Sequence, residues 1–589
     1  FIMDFDRHED QWQWADVEKG GGKKFQALPR DRDQPFFISE GILASIARQN
    51  WLAPQIQGFR PHARNIKTFN FNARNLDHIF LNELDENDWK KAIDEFLPKM
   101  TDELIEQALD QQPPEIKKLA AKNQIVEKLK ERRKYFSDEM MTYYRFISKI
   151  VSIPGSDKRE EFGINRNEDG SVNVTVRKIN KEGEVKNKIF ERTFDPSVTK
   201  EIRLYGRGGD DQFIMKGNSN KIKIRIIGGG GNDRYESDAT SRAGKTLVYD
   251  LNDSTENNTF SGNNDFRKKL SAHASVNDYE WKNFKYNTHR PMLAVTYNPD
   301  DGVFLGASMR FTKQGFRKAP YAQMHQFTVT HALSTKAYSF KYLGEFVNAI
   351  SNTDLILNAI VKAPNNTTNF FSYGNESVYN KDQPEKIRYY RARYQVGSFG
   401  ISLRHKLGSS FSILWGPVYE YYQFDSSDNI NRYILMTPAN GLDLATLIKN
   451  KSWMGGQLTL SLDDRNNKLM PTRGINWETT LRVLNGMNSY SNSLTQLNSE
   501  MSLYTSFSKN AGFVLATRFG AGINFNNNFE FFQAQYLGSM EGLRGYRRYR
   551  FAGKAMAYNN VEMRIKVADF RTYLFPGSIG LLFFNDVGR

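Results

Sequence analysis

The sequence contains no cysteine, which excludes disulfides and thiolate metal sites. It also lacks any run of 18 or more apolar residues, the minimum for a membrane-crossing helix. Charged residues make up 25% and mean hydropathy is −0.62, so bulk composition carries no membrane signature. A barrel strand would hide in such an average, because its two faces alternate. An initiator methionine and a signal peptide are missing at the start, Phe1-Ile-Met-Asp, and the chain stops at Arg589 directly after a strand-like pattern. A longer parent protein is therefore expected, and the missing leader says nothing about compartment.

What is present is more informative. Aromatics reach 13%, with 28 Tyr, 42 Phe and 8 Trp, an excess that girdles at two membrane interfaces would explain. The formal net charge is +15. It fits solvated faces with a basic barrel lumen, or contact with anionic lipid headgroups or lipopolysaccharide. No nucleic-acid motif accompanies the charge, so no nucleic-acid partner is expected.

At 589 residues the chain should hold two to four domains. Residues 1–150 read as mixed and then helical. Asp88–Leu97 and Ile116–Leu129 carry apolar residues at 3–4 spacing, and Pro113-Pro114 marks a helix start. Residues 151–261 change to short β-branched strands with Asp-Gly and Glu-Gly turns, and 262–290 read as a polar linker. From 291 to 589 the period is two. Val561, Met563, Ile565 and Val567 share one face of a strand, with Glu562, Arg564 and Lys566 on the other. Leu458, Leu460 and Leu462 alternate in the same way with Thr459, Ser461 and Asp463.

Strands are expected over 291–299, 302–313, 324–334, 337–348, 353–363, 388–407, 411–423, 452–463, 474–485, 496–508, 512–523, 555–568 and 577–587. A long series of this kind, with alternately short and long loops, is the pattern of a transmembrane antiparallel β-barrel. Bacterial single-chain barrels use even numbers, so about 16 strands are expected in full, with about 13 in this chain and about three absent.

Three segments resemble the BamA/TamA (bacterial surface antigen) superfamily, over about 290–589. Asp463-Asp-Arg-Asn-Asn-Lys-Leu-Met-Pro-Thr-Arg-Gly474 is similar to its periplasmic turn. Gly542-Leu-Arg-Gly-Tyr-Arg547 is similar to the Arg-Gly-Tyr tip of a long loop that folds into the lumen. Phe583-Phe-Asn-Asp-Val-Gly588 is similar to the strand whose aspartate receives that arginine. A weaker likeness is Tyr373-Gly-Asn-Glu376.

The resemblance implies a lock of Arg544, Gly545 and Tyr546. An arginine pushed into a lumen needs a carboxylate of matching geometry, and parity offers Glu562 and Asp586. Gly545 would let the loop turn tightly behind Arg544. The resemblance also implies residence in the outer membrane of a Gram-negative bacterium. The implied work is outer-membrane protein assembly or translocation on substrate polypeptides or lipids, with accessory envelope proteins. POTRA repeats, which bind substrate in assembly members, are not recognisable between 151 and 290.

The N-terminus carries a second motif. In Asp4-Phe-Asp-Arg-His-Glu-Asp-Gln11, Asp6 and Gln11 have the five-residue spacing of a kinase catalytic aspartate and its metal-holding amide. Pro29-Arg-Asp-Arg-Asp33 follows, where Asp31 or Asp33 would be the second metal ligand. The pair resembles CotH-like atypical kinases, which implies an α+β kinase-like C-lobe using Mg with ATP, as an active kinase or a pseudokinase. Gln11 replaces the usual Asn, and a nucleotide-binding lobe would have to precede Phe1. The rival function is therefore a phosphotransferase or phosphoesterase-type enzyme that uses the barrel as its anchor.

Finally, Gly228-Gly-Gly-Gly-Asn-Asp-Arg-Tyr235 matches the calcium-binding nonapeptide repeat, and Gly206-Arg-Gly-Gly-Asp-Asp-Gln-Phe213 matches it except at Arg207. The likeness implies Ca at Asp211 and Asp233. Two copies 22 residues apart are not expected to stack unaided, so two separate glycine-dependent turns are the competing expectation.

Overall fold

The computed structural model describes residues 1–589 except 20–21, 239–245, 253–255, 263–265, 299–301, 509, 541 and 573–575. Residue 299 of the first expected barrel strand and 263–265 of the expected linker thus lie outside the described residues. The chain divides into two compact units, Phe1–Lys285 and Tyr286–Arg589.

The first unit opens with an antiparallel hairpin, β1 (Trp12–Lys19) and β2 (Gly22–Pro29). Helices over Glu86–Phe96, Asp102–Asp110, Pro114–Lys122 and Ile125–Ile147 follow. Local chemistry sets their starts. Asp85 and Asp88 form a reciprocal capping box, Thr101 caps the next helix, and Pro114 occupies a first-turn position whose amide would be unpaired anyway. The long last helix carries a buried ion pair, Arg132 to Glu139 at 2.7 Å, and Glu139 also accepts the Ala63 amide at 2.7 Å.

Among the described residues eleven strands complete this unit: β3 (Ile150–Pro154), β4 (Glu160–Arg166), β5 (Val172–Ile179), β6 (Val185–Phe194), β7 (Glu201–Tyr205) and β8 (Gln212–Lys216); then β9 (Lys223–Ile227), β10 (Arg234–Ser237), β11 (Thr246–Tyr249), β12 (Thr259–Gly262) and β13 (Arg267–Lys268). They form two sheets, ordered β12-β10-β8-β4-β5-β6 and β13-β11-β9-β7-β3. Successive strands from β7 on alternate between the sheets and pair in parallel with their neighbours in each sheet, while β4, β5 and β6 pair antiparallel. This is a coil that advances one layer every 22 residues, since Phe213 registers with Tyr235 and Ile202 with Ile224. Like side chains stack through the interior. Phe162, Phe213, Tyr235 and Phe260 form a ladder with centroids 4.7, 5.3 and 4.7 Å apart.

Two expectations are corrected here. The glycine-rich turns do stack, because each coil contains two strands and so brings every second turn back above the first. Gly209 donates to Gly230 O at 2.9 Å, and Gly206 to Ile227 O at 2.9 Å. The polar stretch after 262 is no free linker either. β13 pairs with β11, Asn277 Nδ2 donates to Gly229 O and to Asp250 Oδ1, and Phe284 stacks on His78.

The second unit is one antiparallel meander. Its strands are β14 (Thr288–Asn298), β15 (Gly302–Lys313), β16 (Gln323–Ala332), β17 (Tyr338–Ile350), β18 (Thr353–Asn369), β19 (Arg391–Leu407) and β20 (Phe411–Gln423). β21 (Lys451–Asp463), β22 (Gly474–Gly486), β23 (Leu494–Ser506) and β24 (Phe513–Asn524) continue it. A short pair, β25 (Gln535–Leu537) and β26 (Phe551–Gly553), lies in the next connection, before β27 (Ala555–Arg571) and β28 (Pro576–Gly588). Apart from that pair the order is sequential from β14 to β28, a thirteen-stranded sheet. Among the described residues all thirteen expected strands are present, most within three residues of the expected bounds, while β18 runs six residues further, to Asn369. Long connections lie at one end, after β18, β20 and β24, and short turns lie mostly at the other.

Candidate functional site in the lumen loop

Residues 525–554 connect β24 to β27 and bring Arg544 onto two strands at once. Arg544 Nε and Nη2 donate to Asp586 Oδ2 and Oδ1 at 2.8 and 2.5 Å, and the Arg544 amide donates to the same carboxylate at 3.0 Å. Nη1 donates to Glu562 Oε1 at 2.5 Å. The guanidinium also lies 4.0 Å from the centre of the Phe584 ring. So both acceptors offered by parity are used, one bidentately. Such a fork is directional and desolvated: Arg544 keeps 22% of its side chain accessible and Asp586 only 7%.

Further members of the network escape a motif search. Asn560 Nδ2 donates to Gly542 O and to Asp586 Oδ1, both at 2.7 Å. Arg564 forks onto the free side of Glu562 at 3.0 and 2.6 Å, and Arg518 Nε donates to Asn560 Oδ1 at 2.9 Å. The only signal for Asn560 and Arg564 was their place beside Glu562 on one strand face.

The role given to Gly545 is corrected. A Cβ there would meet nothing within 4 Å, and its backbone is not left-handed. The turn is made by Gly542 (φ +94°), where a Cβ would run into the Tyr558 ring at 2.7 Å. Tyr546 is half exposed and packs edge-on against Phe551 at 5.1 Å.

Above the lock, the long connections form an apolar cap. Phe370, Ile434, Leu447 and Phe531 from the loops pack on Tyr422, Trp453, Leu484 and Leu494 from the strand ends. Phe532 stacks on Tyr422 at 4.7 Å, and Lys451 pairs with Glu530 at 2.5 Å inside this layer. Beneath it lies a cavity of about 640 Å³ with a mixed lining, in which Lys341, Lys362, Arg482, Arg548 and Glu420 stand among Phe304, Val396 and Phe532.

The family model for the Omp85 superfamily domain matches residues 268–589, more than half of the chain. The chain belongs to the Omp85 superfamily. Its thirteen-stranded sheet is accordingly an outer-membrane β-barrel wall. Among solved structures it is similar to BamA from Haemophilus ducreyi lacking POTRA domains 1-3, at 13% sequence identity and a TM-score of 0.37. That match covers 49% of this chain and 55% of the other, so the chain spans about half of that structure's length. No curated protein matches the sequence.

Outside the Omp85 domain, the structure places the N-terminal residues as follows. The hairpin returns β2 beside β1, so Arg30 donates to Gln11 O at 2.9 Å and Gln11 Nε2 reaches Asp31 Oδ2 at 3.5 Å. His8 Nε2 lies 3.3 Å from Gln11 Nε2 and 3.8 Å from Asp6 Oδ1, which also accepts from Asn72 at 3.3 Å. Arg7 forks onto buried Asp77 at 2.8 and 2.7 Å and so fixes the segment. Gln11 thus approaches Asp31 directly and Asp6 by way of His8, and Asp31 and Asp33 are both exposed. Among the described residues no three His, Asp or Glu side chains converge as a metal cluster.

In the coil, Asp211 Oδ1 accepts from Glu160 N at 2.7 Å, Asp233 Oδ1 from Asp211 N at 2.9 Å, and Asn258 Oδ1 from Asp233 N at 2.7 Å. The other oxygens of Asp211 and Asp233 have no donor among the described residues, although the residues are only 0% and 1% exposed. Burial pushes Asp211 up to about 9 and Asp233 up to about 8. A buried carboxyl oxygen without a donor calls for a proton or a hard cation.

Proposed function

We propose that this protein works in outer-membrane protein assembly or translocation in a Gram-negative bacterium, handling outer-membrane polypeptides at the barrel. The observation that carries the reading is the clamp of Arg544 on Asp586 and Glu562, which fixes the lumen loop to the two last strands of the sheet. A loop held there supports the wall from inside and leaves the chemistry entirely non-covalent. In vesicles, the full-length protein should speed insertion of an unfolded outer-membrane protein, and Arg544→Ala should slow it. Equal insertion with and without the protein would end this reading.

A second reading concerns the first unit. The approach of Gln11 to Asp31, with Asp6 alongside, supports a kinase-like accessory module in which these residues would hold Mg with ATP. On that reading the barrel anchors an enzyme. ATP and Mg²⁺ titrated into full-length protein should give saturable binding that Asp6→Ala or Asp31→Ala removes; no binding would leave the aspartates as structural partners. In the coil, the donor-less oxygens of Asp211 and Asp233 support Ca²⁺ between the stacked turns, read out as a calcium-dependent rise in thermal stability.

A further inference from the structure

The turn between β21 and β22, residues 464–473, is a sequence motif that the lumen loop does not use. Its own side chains fix its backbone. Asn467 Oδ1 accepts from the amides of Leu469 and Met470 at 2.9 Å each. Asn466 Oδ1 accepts from those of Thr472 and Arg473 at 3.1 Å each, and its Nδ2 donates to Thr472 Oγ1 at 2.8 Å. At the root, Arg465 forks onto Asp463 at 2.7 and 2.9 Å.

A turn held this firmly presents Leu469 at 91% exposure and Met470 at 71%. Leu469 is the most exposed large apolar side chain among the described residues. Scattered apolar side chains on a surface are ordinary. An adjacent pair, fixed outward by five side-chain hydrogen bonds, has already lost the freedom that would let it fold away.

Two features identify what covers the pair. The flanking cations Lys468 and Arg473 are both exposed, Lys468 only 3.7 Å from Asp463 Oδ2 at the root of the turn, and exposed cations suit an anionic surface. The strands that lead into the turn carry the apolar stripe of Leu458, Leu460 and Leu462, in register with Leu481, Thr479 and Trp477. Leu469 and Met470 lie beyond the membrane-facing end of that band, across the polar segment Asp463 to Lys468.

We propose that this turn dips into the phospholipid leaflet at the short-turn end of the barrel. Leu469 and Met470 lie at the boundary of headgroups and acyl chains, and Lys468 and Arg473 lie on anionic headgroups. The turn acts as a depth stop for that side of the wall. The inference rests on Omp85 membership and is independent of what the lumen loop does.

These 589 residues contain no cysteine, so within them an introduced thiol is the one labelling site. A fluorophore is placed at Met470→Cys, or at Ser409→Cys on a neighbouring short turn, in full-length protein in phosphatidylethanolamine–phosphatidylglycerol vesicles. Shallow nitroxide-labelled lipids should quench the label at 470 several-fold more than the label at 409, while aqueous acrylamide should show the reverse. Lys468→Gln with Arg473→Gln should shift the 470 label toward acrylamide; no shift would overturn the headgroup contact. Equal acrylamide access at both positions would overturn the proposal, and so would a 470 label shielded from both quenchers, which would mean that protein covers the turn. Heat-modifiable migration of each variant confirms that the barrel has folded.

Discussion

The barrel wall and the 22-residue coil are both sheet structures, yet they are built on opposite principles. In the barrel each strand is specified by its own alternation, and its neighbour in sequence is its neighbour in space. In the coil a strand's neighbour lies 22 residues away, and the match is of like on like: glycine over glycine, aspartate over aspartate, ring over ring. A barrel strand therefore tolerates change at many positions, whereas a coil position answers to the layers above and below. Glycine shows the contrast most sharply.

Gly206→Ala should produce the largest effect. A Cβ there would lie 2.0 Å from Gly228 O in the next layer and 2.3 Å from Asp211 Oδ2 in its own turn. The cost should be about 3 kcal/mol or more, at or above the top of the usual overpacking range, because the layer spacing cannot yield without breaking its neighbours. The first unit should lose its thermal transition while heat-modifiable migration of the barrel is unchanged. If both survive, the stack is not close-packed.

Arg544→Ala comes next. Removing one partner of a buried pair costs roughly 3–5 kcal/mol, and the exposed fifth of this side chain puts the value at the low end. The barrel should still insert, and the 525–554 loop should become open to protease in intact cells. Unchanged protection would make Arg544 an ordinary loop residue.

A graded effect is expected from pH in the coil. The folded Asp211 and Asp233 lie at about 9 and about 8, far above an ordinary carboxyl near 4. Their contribution is complete below pH of about 4 and is lost as pH rises through the folded values. Without added cation, the melting temperature of the first unit should fall between those limits, and Asp211→Asn should flatten part of the slope. Ca²⁺ should restore stability most at the alkaline side; a pH-independent melt would show that the two oxygens are solvated.

The smallest effect should be Gly545→Ala, within about 0.5 kcal/mol by thermal melt, since nothing stands within 4 Å of the new methyl. A large loss there would restore the tight turn to Gly545.

These cases also mark what the sequence could and could not reveal. Strand bounds were legible because alternation is local. Glu562 and Asp586 were legible because parity fixes a face. Gly542 was missed because a motif names residues without naming their backbone angles. Asn560 was missed because its partners lie on other strands and on the loop, and Arg564 because alternation gives a face but not which side chains on it bond. The coil was misjudged for want of one fact, that two strands fit in each repeat. The cap of Phe370, Tyr422, Trp453 and Phe531 draws on three loops and several strand ends, a coincidence that no window of sequence contains.

That cap sets the kind of vessel the barrel is. With apolar side chains packed across the long-loop end above a hollow lined by Lys341, Lys362, Arg482 and Arg548, the wall carries its own stopper. Anything that enters the hollow from that end must first displace packed loops.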